Sequence, residues 1–336
     1  MQISHLLVLS LGFFLTACAG SNMTSIGQME RHTAQFTDLV PDGAVIERLA
    51  DGFAWSEGPV WVRDGGYLLF SDIPNNTIFR WDETNGLDVY LRPAGYMWSD
   101  PSGEELGTNG LVLDDEGRLL MSDHGNRQIA RLDPSNFTRT TLADRFDGKR
   151  LNSPNDLVIH SNGDIYFTDP PYGLEGLNDN PAKELPFNGV YRLQPDGKVS
   201  LLTDELTFPN GIGFSPDERT LYIANSDPER PIWMAYSVNP DGSVSEGRVF
   251  FDAADLLEAG SRGMPDGLTV DRDGNLFATG PGGVLVLSPD GEHLGTISTG
   301  ELIANCTFGD DGSMLYMASH GILARVNTTT VGAGFD

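Results

Sequence analysis

Apolar and polar positions alternate along this chain in short stretches that are typical of β-strands and are separated by turn residues. Each unit of the pattern begins with an oxygen-bearing side chain and continues through an apolar strand, an Asp- or Gly-containing turn, and two further strands. Six such units can be aligned, and they begin at Glu57, Asn109, Asn155, Asn210, Asp266 and Asn305. A repeat of about 40–55 residues, often with a fourth strand, predicts the blades of a β-propeller.

The ends of the repeat array predict how the ring closes. The sixth unit lacks a last strand, whereas the stretch 44–49 (AVIERL) precedes the first unit and has no partner there. We expect this stretch to complete the last blade, because closure removes the free sheet edges. The predicted fold is therefore an all-β six-bladed propeller, with a β-sandwich of chance similarity as the alternative.

The first residues predict export rather than a part of the fold. Leu6–Leu15 is apolar but too short to span a bilayer, and Leu15-Thr16-Ala17-Cys18 resembles a bacterial lipobox, although the preceding residues contain no Lys or Arg. We expect a signal peptide over 1–18 with Cys18 as the lipidation site, a polar tether over 19–40, and a single propeller over 41–330. The predicted location is the periplasm or, through the lipid anchor, a bacterial membrane.

The amino-acid composition limits which binding partners and cross-links are expected. The formal net charge of −27 disfavours nucleic acid and anionic membrane surfaces, and it suits a cation-binding protein. Only two cysteines occur, and lipidation of Cys18 would leave Cys306 alone, so no disulfide framework is expected. Cys306 lies in an apolar strand pattern and is expected to be a buried, inert thiol.

The six unit-opening residues predict a polar centre. The first strand of each propeller blade lines the central channel, so equivalent positions meet around one axis. Two carboxylates and four amides make an oxygen set that suits Ca²⁺, with Mg²⁺ or Mn²⁺ as alternatives. The other interpretation is that these groups only hydrogen-bond across a wet channel.

Several strings along the chain resemble those of one known family. They are Ser56-Glu-Gly-Pro-Val-Trp, Thr108-Asn-Gly-Leu, Ser153-Pro-Asn-Asp-Leu, Tyr166-Phe-Thr-Asp-Pro-Pro-Tyr-Gly, Pro209-Asn-Gly-Ile and Pro265-Asp-Gly-Leu. In this order, over about residues 44–327, the chain resembles the SMP-30/gluconolactonase/LRE-like family. That resemblance implies a six-bladed propeller with a central divalent metal, and a sugar lactonase or, more distantly, a calcium-dependent organophosphate hydrolase.

The resemblance also implies roles for single residues. Glu57, Asn210 and Asp266 match the family's metal ligands, and Asn155 matches a position that binds metal in some members and substrate in others. Asp266 also matches the catalytic acid/base, and direct nucleophilic attack by its carboxylate is a second interpretation. Asn109 lies at the matching point of the second blade, where we expect a substrate contact.

Three further residues are candidates for substrate binding. His124 and His320 follow the second strands of the second and sixth units in similar Ser/His/Gly contexts, so both should lie near one face of the ring. Tyr172 follows Pro170-Pro171 at the corresponding end of the third unit. Turn histidines that face solvent are the alternative for the first two.

Together these observations predict a divalent-metal-dependent hydrolase of a sugar lactone, similar to gluconolactonase. We expect one Ca²⁺ per chain, with Mg²⁺, Mn²⁺ or Zn²⁺ as alternatives. Two other functions stay open: an organophosphate or other ester hydrolase on the same metal centre, and a non-catalytic binding propeller whose metal is structural.

Overall fold

Six antiparallel sheets are arranged as the blades of a propeller in a computed structural model that describes residues 24–97 and 105–335. The four strands of blades one to three, from the centre outwards, are Ser56–Val62, Tyr67–Asp72, Thr77–Asp82 and Gly86–Leu91; Thr108–Leu113, Leu119–Asp123, Gln128–Asp133 and Thr138–Ala143; and Leu157–Ile159, Ile165–Asp169, Gly189–Leu193 and Val199–Thr203. The predicted all-β propeller is confirmed.

Blades four to six continue the same order. Their strands are Pro209–Phe214, Thr220–Asp227, Arg230–Ser237 and Arg248–Asp252; Leu268–Val270, Leu276–Gly280, Gly283–Leu287 and His293–Ser298; and Asn305–Gly309, Met314–Ser319, Ile322–Asn327 and Ile46–Asp51. A fifth, outer strand is added to blade five by Gln28–Arg31 and to blade six by Thr24–Ile26.

The remaining elements are short and lie in connections. They are the α-helices Ala34–Leu39 and Ala254–Glu258, the 3₁₀ turns Arg63–Gly65 and Leu177–Asp179, and a small hairpin of Arg145–Phe146 with Lys149–Arg150. Across the described residues, no helix is both long enough and apolar enough to cross a bilayer.

The ring closes as the sequence predicted. Ile46–Asp51 pairs antiparallel with Ile322–Asn327, so a strand from the start of the propeller completes the blade made by its end. The pairing places Glu47 opposite Arg325, and their side chains form an ion pair at 2.8 Å. The second guanidinium branch of Arg325 contacts Glu83 of blade one at 2.8 Å, so the same side chain also ties the closing blade to its neighbour.

The polar tether predicted over 19–40 is wrong for the described part of that segment. From Thr24 onwards the chain forms two edge strands and the helix Ala34–Leu39, and Thr33 caps this helix by accepting a hydrogen bond from the backbone of Phe36. The Phe36 side chain is completely buried among residues of blades five and six. The sequence did not reveal this anchor because few residues of the segment are apolar: from Thr24 to Val40, Phe36, Leu39 and Val40 are buried, and Ile26 and Met29 are partly buried against the same core. The predicted signal peptide and Cys18 lie outside the described residues.

Buried hydroxyl groups connect successive blades near the channel. The Ser71 hydroxyl of blade one donates to the carbonyl oxygen of Asn109 at 2.8 Å, and that of Thr168 in blade three donates to the carbonyl oxygen of Asn210 at 2.8 Å. Thr279 of blade five likewise donates to Ala304 at 2.7 Å. These bonds hold the start of each following inner strand at a fixed depth, because a buried carbonyl without a donor would be costly.

Candidate active site

A cavity of about 360 Å³ opens where the inner strands begin. Six of the predicted site residues line it together: Glu57, Asn109, Asn155, Tyr172, Asn210 and Asp266. Trp55, Ile73, Met264, Leu302 and Ile303 supply an apolar part of the wall, and Glu105 and Ser226 add polar groups. Residues from five blades therefore converge on one space, although they are more than 200 positions apart at the extremes of the chain.

Irregular backbone turns these side chains towards the channel. The strand register shifts between Glu57 and Val60, between Thr108 and Leu111, and between Pro209 and Ile212, as it does at a β-bulge. Bulges re-aim side chains at the start of a strand. In blades three and five the inner strand begins only after Asn155 and after Asp266, so the corresponding residue precedes the ladder altogether.

The glycine that follows four of these residues has a specific steric role. A β-carbon on Gly58 would lie 2.0 Å from the carbonyl oxygen of Asn109, and one on Gly211 would lie 2.2 Å from that of Asp266. A β-carbon on Gly267 would lie 2.0 Å from the side chain of Asn305. Because glycine has no side chain, each of these positions leaves room for the polar residue of the next blade. This explains the Glu-Gly, Asn-Gly and Asp-Gly pairs of the repeat.

The carboxylates of the cavity repel one another. Burial raises the pKa of Glu57 to about 8, and the charge of Asp156 contributes further, against hydrogen bonds from Gly58 and Asn305 that lower it. Burial also raises the pKa of Asp266, and the charges of Glu57 and Asp156 add to that shift. A buried group of like charges without a counter-charge is unfavourable, and a cation would relieve it.

A hydroxyl group fixes the orientation of the Asn210 amide. The carbonyl oxygen of Pro265 can only accept, so the Ser226 hydroxyl donates its proton there. The same hydroxyl must then accept from Asn210, which places the amide nitrogen of Asn210 on it at 2.9 Å. The Asn210 side-chain oxygen is thereby left as an acceptor that Ser226 does not use.

Two oxygen atoms in the cavity wall are buried and lack a hydrogen-bond partner, the side-chain oxygen of Asn109 and Oδ1 of Asp266. Such unpaired acceptors cost about 1–3 kcal/mol each, unless a ligand satisfies them. No group of three or more His, Cys, Asp or Glu side chains is placed to hold a metal within residues 24–97 and 105–335. Amide oxygens would therefore have to complete a cation site around Glu57 and Asp266, which is a set that hard cations accept.

Three residues that the sequence singled out, His124, His320 and Asn305, do not line the cavity. His124 is buried behind the wall, where its Nδ1 lies 2.8 Å from Oε2 of Glu105, so a direct substrate contact is not supported. The side chain of His320 is 48% exposed and packs edge-on against Trp55, with ring centroids 5.3 Å apart. Asn305 lines a second cavity on the other side of the polar residues, and its side-chain oxygen accepts from the backbone of Cys306.

Sequence reasoning missed three residues of the cavity wall and one carboxylate, Asp156, that lies with Asn305 at the second cavity. Asp156 occupies the place that glycine holds in four other units, and this departure from the repeat was the available signal. Glu105 stands four residues before Asn109 in an irregular loop. Ser226 lies near the end of the strand Thr220–Asp227, at the position that His124 holds in blade two, and this equivalence was the available signal. Trp55 precedes its unit by two positions. Glu105 and Trp55 lie in connections between strands, so the repeat alone could not place them at the cavity.

Comparison with known proteins agrees with this arrangement. The sequence profile described as SMP-30/Gluconolactonase/LRE-like region matches residues 55–321. The chain belongs to this family. It is 39% identical over 316 residues to a gluconolactonase of Zymomonas mobilis. The alignment covers 93% of this chain and 89% of the relative. The family resemblance predicted from the motifs is confirmed, and so is the predicted enzyme class, a lactone hydrolase.

Solved structures of the family share the fold. The structure of the gluconolactonase XC5397 from Xanthomonas campestris superposes with a TM-score of 0.78 at 33% identity, covering 91% of this chain and 97% of that one. A calcium-binding protein, regucalcin, from Agrobacterium tumefaciens superposes with a TM-score of 0.66 at 19% identity, covering 85% and 94%. At that identity the second likeness shows the shared propeller alone.

Proposed function

We propose that this lactone hydrolase opens sugar lactones such as gluconolactone, and that one divalent cation, Ca²⁺ first among the candidates, is held by Glu57, Asn155, Asn210 and Asp266. The observation that carries the proposal is the convergence of these side chains in one cavity together with unpaired buried oxygens and mutually repelling carboxylates. The relatives named as gluconolactonases support the substrate class.

The residues fit such a cation. Two carboxylates neutralise a divalent charge, and the free amide oxygen of Asn210 is fixed by Ser226. Bound there, the cation would act as a Lewis acid on the carbonyl group of the lactone. Its charge would also offset the repulsion among the buried carboxylates, which adds to the effect of burial in raising the pKa of Glu57 and that of Asp266.

Asp266 is the proposed proton carrier. Its Oδ1 has no hydrogen-bond partner among the described residues, so this oxygen is free to take a proton from the attacking water. The proton then returns to the ring oxygen as the carbon–oxygen bond of the lactone breaks. The backbone amide of Asp266 donates to Thr279 at 2.9 Å, which holds the residue at the cavity floor.

The rest of the wall would position the sugar ring. Trp55, Ile73 and Met264 present apolar surface to ring carbons and displace water from the carbonyl. Tyr172 is stacked on Phe208 with ring centroids 5.9 Å apart, and this contact fixes one side of the cavity. Rigid walls of this kind hold a substrate near its reactive geometry.

Hydrolysis assays on the purified protein test the proposal. We expect gluconolactone to be opened faster than its spontaneous rate, EDTA to abolish the catalysed rate, and Asp266→Asn to lower kcat/KM at least about 100-fold, the usual range for a lost general base. The exposed Asp64→Asn serves as the matched control and should keep full activity.

Other outcomes would overturn it. Turnover of a phosphotriester without turnover of lactones would favour the organophosphate hydrolase. Cation binding without turnover of any substrate would favour a binding propeller. Lactone hydrolysis that survives both EDTA and Asp266→Asn would refute the assigned chemistry.

A further inference from the structure

A carboxylate and a histidine form a pair at the cavity wall, separate from the proposed cation ligands. Glu105 lines the cavity and its side chain is 32% exposed, and its Oε2 lies 2.8 Å from Nδ1 of His124. The His124 side chain itself is completely buried. The exposed member of the pair therefore faces the substrate space, and the buried member supports it from behind.

His124 is held in a position that is costly for the fold. Its Nε2 is buried and has no hydrogen-bond partner within the described part of the chain. If Nδ1 donates to Glu105, Nε2 is an unpaired acceptor in the neutral ring and an unpaired donor in the charged ring. A buried polar atom without a partner is destabilising in either case. The contact that His124 does make is the one that orients the carboxylate of Glu105.

Asn109 offers one unpaired, neutral acceptor to a polyhydroxylated ring. The oxygens of the proposed cation ligands are not available for this contact. The Ser226 hydroxyl is engaged with Asn210 and Pro265, and much of the remaining wall is apolar. Sugar lactones carry several hydroxyl donors, and a carboxylate accepts such donors more strongly than a neutral group does. Among the described residues, no hydrogen bond engages Oε1, the second carboxylate oxygen of Glu105.

We propose that Glu105 determines specificity for hydroxylated lactones by accepting hydrogen bonds from the substrate's hydroxyl groups, and that His124 is a positioning residue for its carboxylate. The inference rests on the proposed lactone hydrolysis and deepens it. It assigns Glu105 a part in substrate recognition, whereas the chemistry at the carbonyl stays with Asp266.

The test compares two lactones that share a six-membered ring. Gluconolactone carries hydroxyl groups and δ-valerolactone does not. Glu105→Ala is expected to lower kcat/KM for gluconolactone about 10- to 100-fold, the worth of one charge-assisted hydrogen bond, and to change that for δ-valerolactone less than about threefold. If δ-valerolactone is hydrolysed too slowly to measure kcat/KM, its inhibition constant in the gluconolactone assay is measured instead. Glu105→Ala should change that constant less than about threefold.

Each contrary result has a distinct meaning. Equal losses on both lactones would place Glu105 in the ring-opening chemistry or in the fold, and no loss on either would remove it from substrate contact, so both overturn the inference. A wild-type protein that opens no lactone would instead overturn the proposed function and this inference with it.

A double-mutant cycle tests the positioning role of His124. His124→Ala alone should lower the preference for gluconolactone over δ-valerolactone about 5- to 50-fold, and it should add less than about twofold in the Glu105→Ala background, because it acts through the same carboxylate. Losses that multiply, or a loss that is equal for both lactones, would contradict the role and would indicate a general structural effect.

Discussion

Glu57 shows how strongly the cavity constrains single residues. Its side chain is almost completely buried, yet it must carry charge to hold a cation. Asn305 and the backbone of Gly58 donate hydrogen bonds to it, and these only partly offset the effect of burial and of Asp156 on its pKa. The negative centre is therefore unfavourable by itself, and we expect its energetics to depend on pH and on the cation together.

The pH dependence of stability follows from this carboxylate. Burial raises the pKa of Glu57 to about 8 from 4.5, so the folded, cation-free protein holds a proton that the unfolded chain releases. In EDTA, the contribution of Glu57 to the free energy of unfolding should therefore be most favourable below about pH 4.5. It should fall as the pH rises towards 8. Thermal unfolding between pH 5.5 and 8.5 measures the slope.

The matched comparison is Glu57→Gln, which removes this titrating group and should make the slope shallower, while the raised pKa values of Asp156 and Asp169 leave a residual slope of the same sign. Saturating Ca²⁺ should also stabilise the wild type most at the high end of this range, because cation binding displaces the proton. A melting temperature in EDTA that rises across the range, or a slope that Glu57→Gln leaves unchanged, would contradict the assignment.

At the scale of elements, neighbouring inner strands approach closely only where glycine, which has no side chain, lies at the contact between blades. Gly211→Ala would place a β-carbon 2.2 Å from the Asp266 carbonyl oxygen, and this backbone contact cannot yield without moving Asp266. We expect a loss of stability of about 1–3 kcal/mol or more and a severe loss of lactone hydrolysis, measured by urea unfolding and by kcat/KM.

Gly43→Ala provides the control for this variant, since a β-carbon there meets nothing within 4 Å. It should be neutral in both measurements. Normal activity in Gly211→Ala would show that blade four and blade five can separate without disturbing the site.

The helix Ala34–Leu39 closes the outer side of blades five and six and lies apart from the cavity. Phe36→Ala removes a fully buried ring from the core and should lower the free energy of unfolding by about 3–5 kcal/mol. The kcat of the folded variant should stay within about twofold of wild type, because the helix packs mainly against the outer strands of blade five, Gln28–Arg31 and His293–Ser298, and supplies no residue to the cavity wall.

The half-exposed Val45→Ala is the surface control and should change stability little. If Phe36→Ala unfolded at the same urea concentration as wild type, the segment 24–40 would act as the tether that its composition suggested.

At the scale of the whole molecule, the propeller could be predicted because the same sequence pattern occurs in each of the six blades. The Asn-Gly and Asp-Gly pairs mark the inner strands, and the unpaired stretch at 44–49 identified the closing strand before any pairing was known. The cavity residues followed from equivalence between blades. Glu105 could not be predicted, because it comes from a connection that differs from blade to blade and reaches the site only in the folded ring. Ser226 was missed although it holds, in the second strand of blade four, the position that His124 holds in blade two.

The segment before the propeller carries a prediction of its own. We propose that the protein is exported and lipidated at Cys18 in a bacterial host, which would keep the cavity at a membrane surface. Cys18→Ser should then abolish labelling by a radioactive fatty acid and move the protein from the detergent phase to the aqueous phase on extraction with Triton X-114. Labelling that persists in Cys18→Ser would contradict the assignment.

The most direct test of the central claim measures cation content and lactone hydrolysis on the same sample. Protein stripped with EDTA should hold no divalent cation and should open gluconolactone no faster than water does. Stepwise addition of Ca²⁺ should restore kcat/KM in proportion to occupancy and saturate at about one ion per chain, whereas Asp266→Asn should stay inactive at every concentration. Full activity in protein that contains no cation would contradict the account.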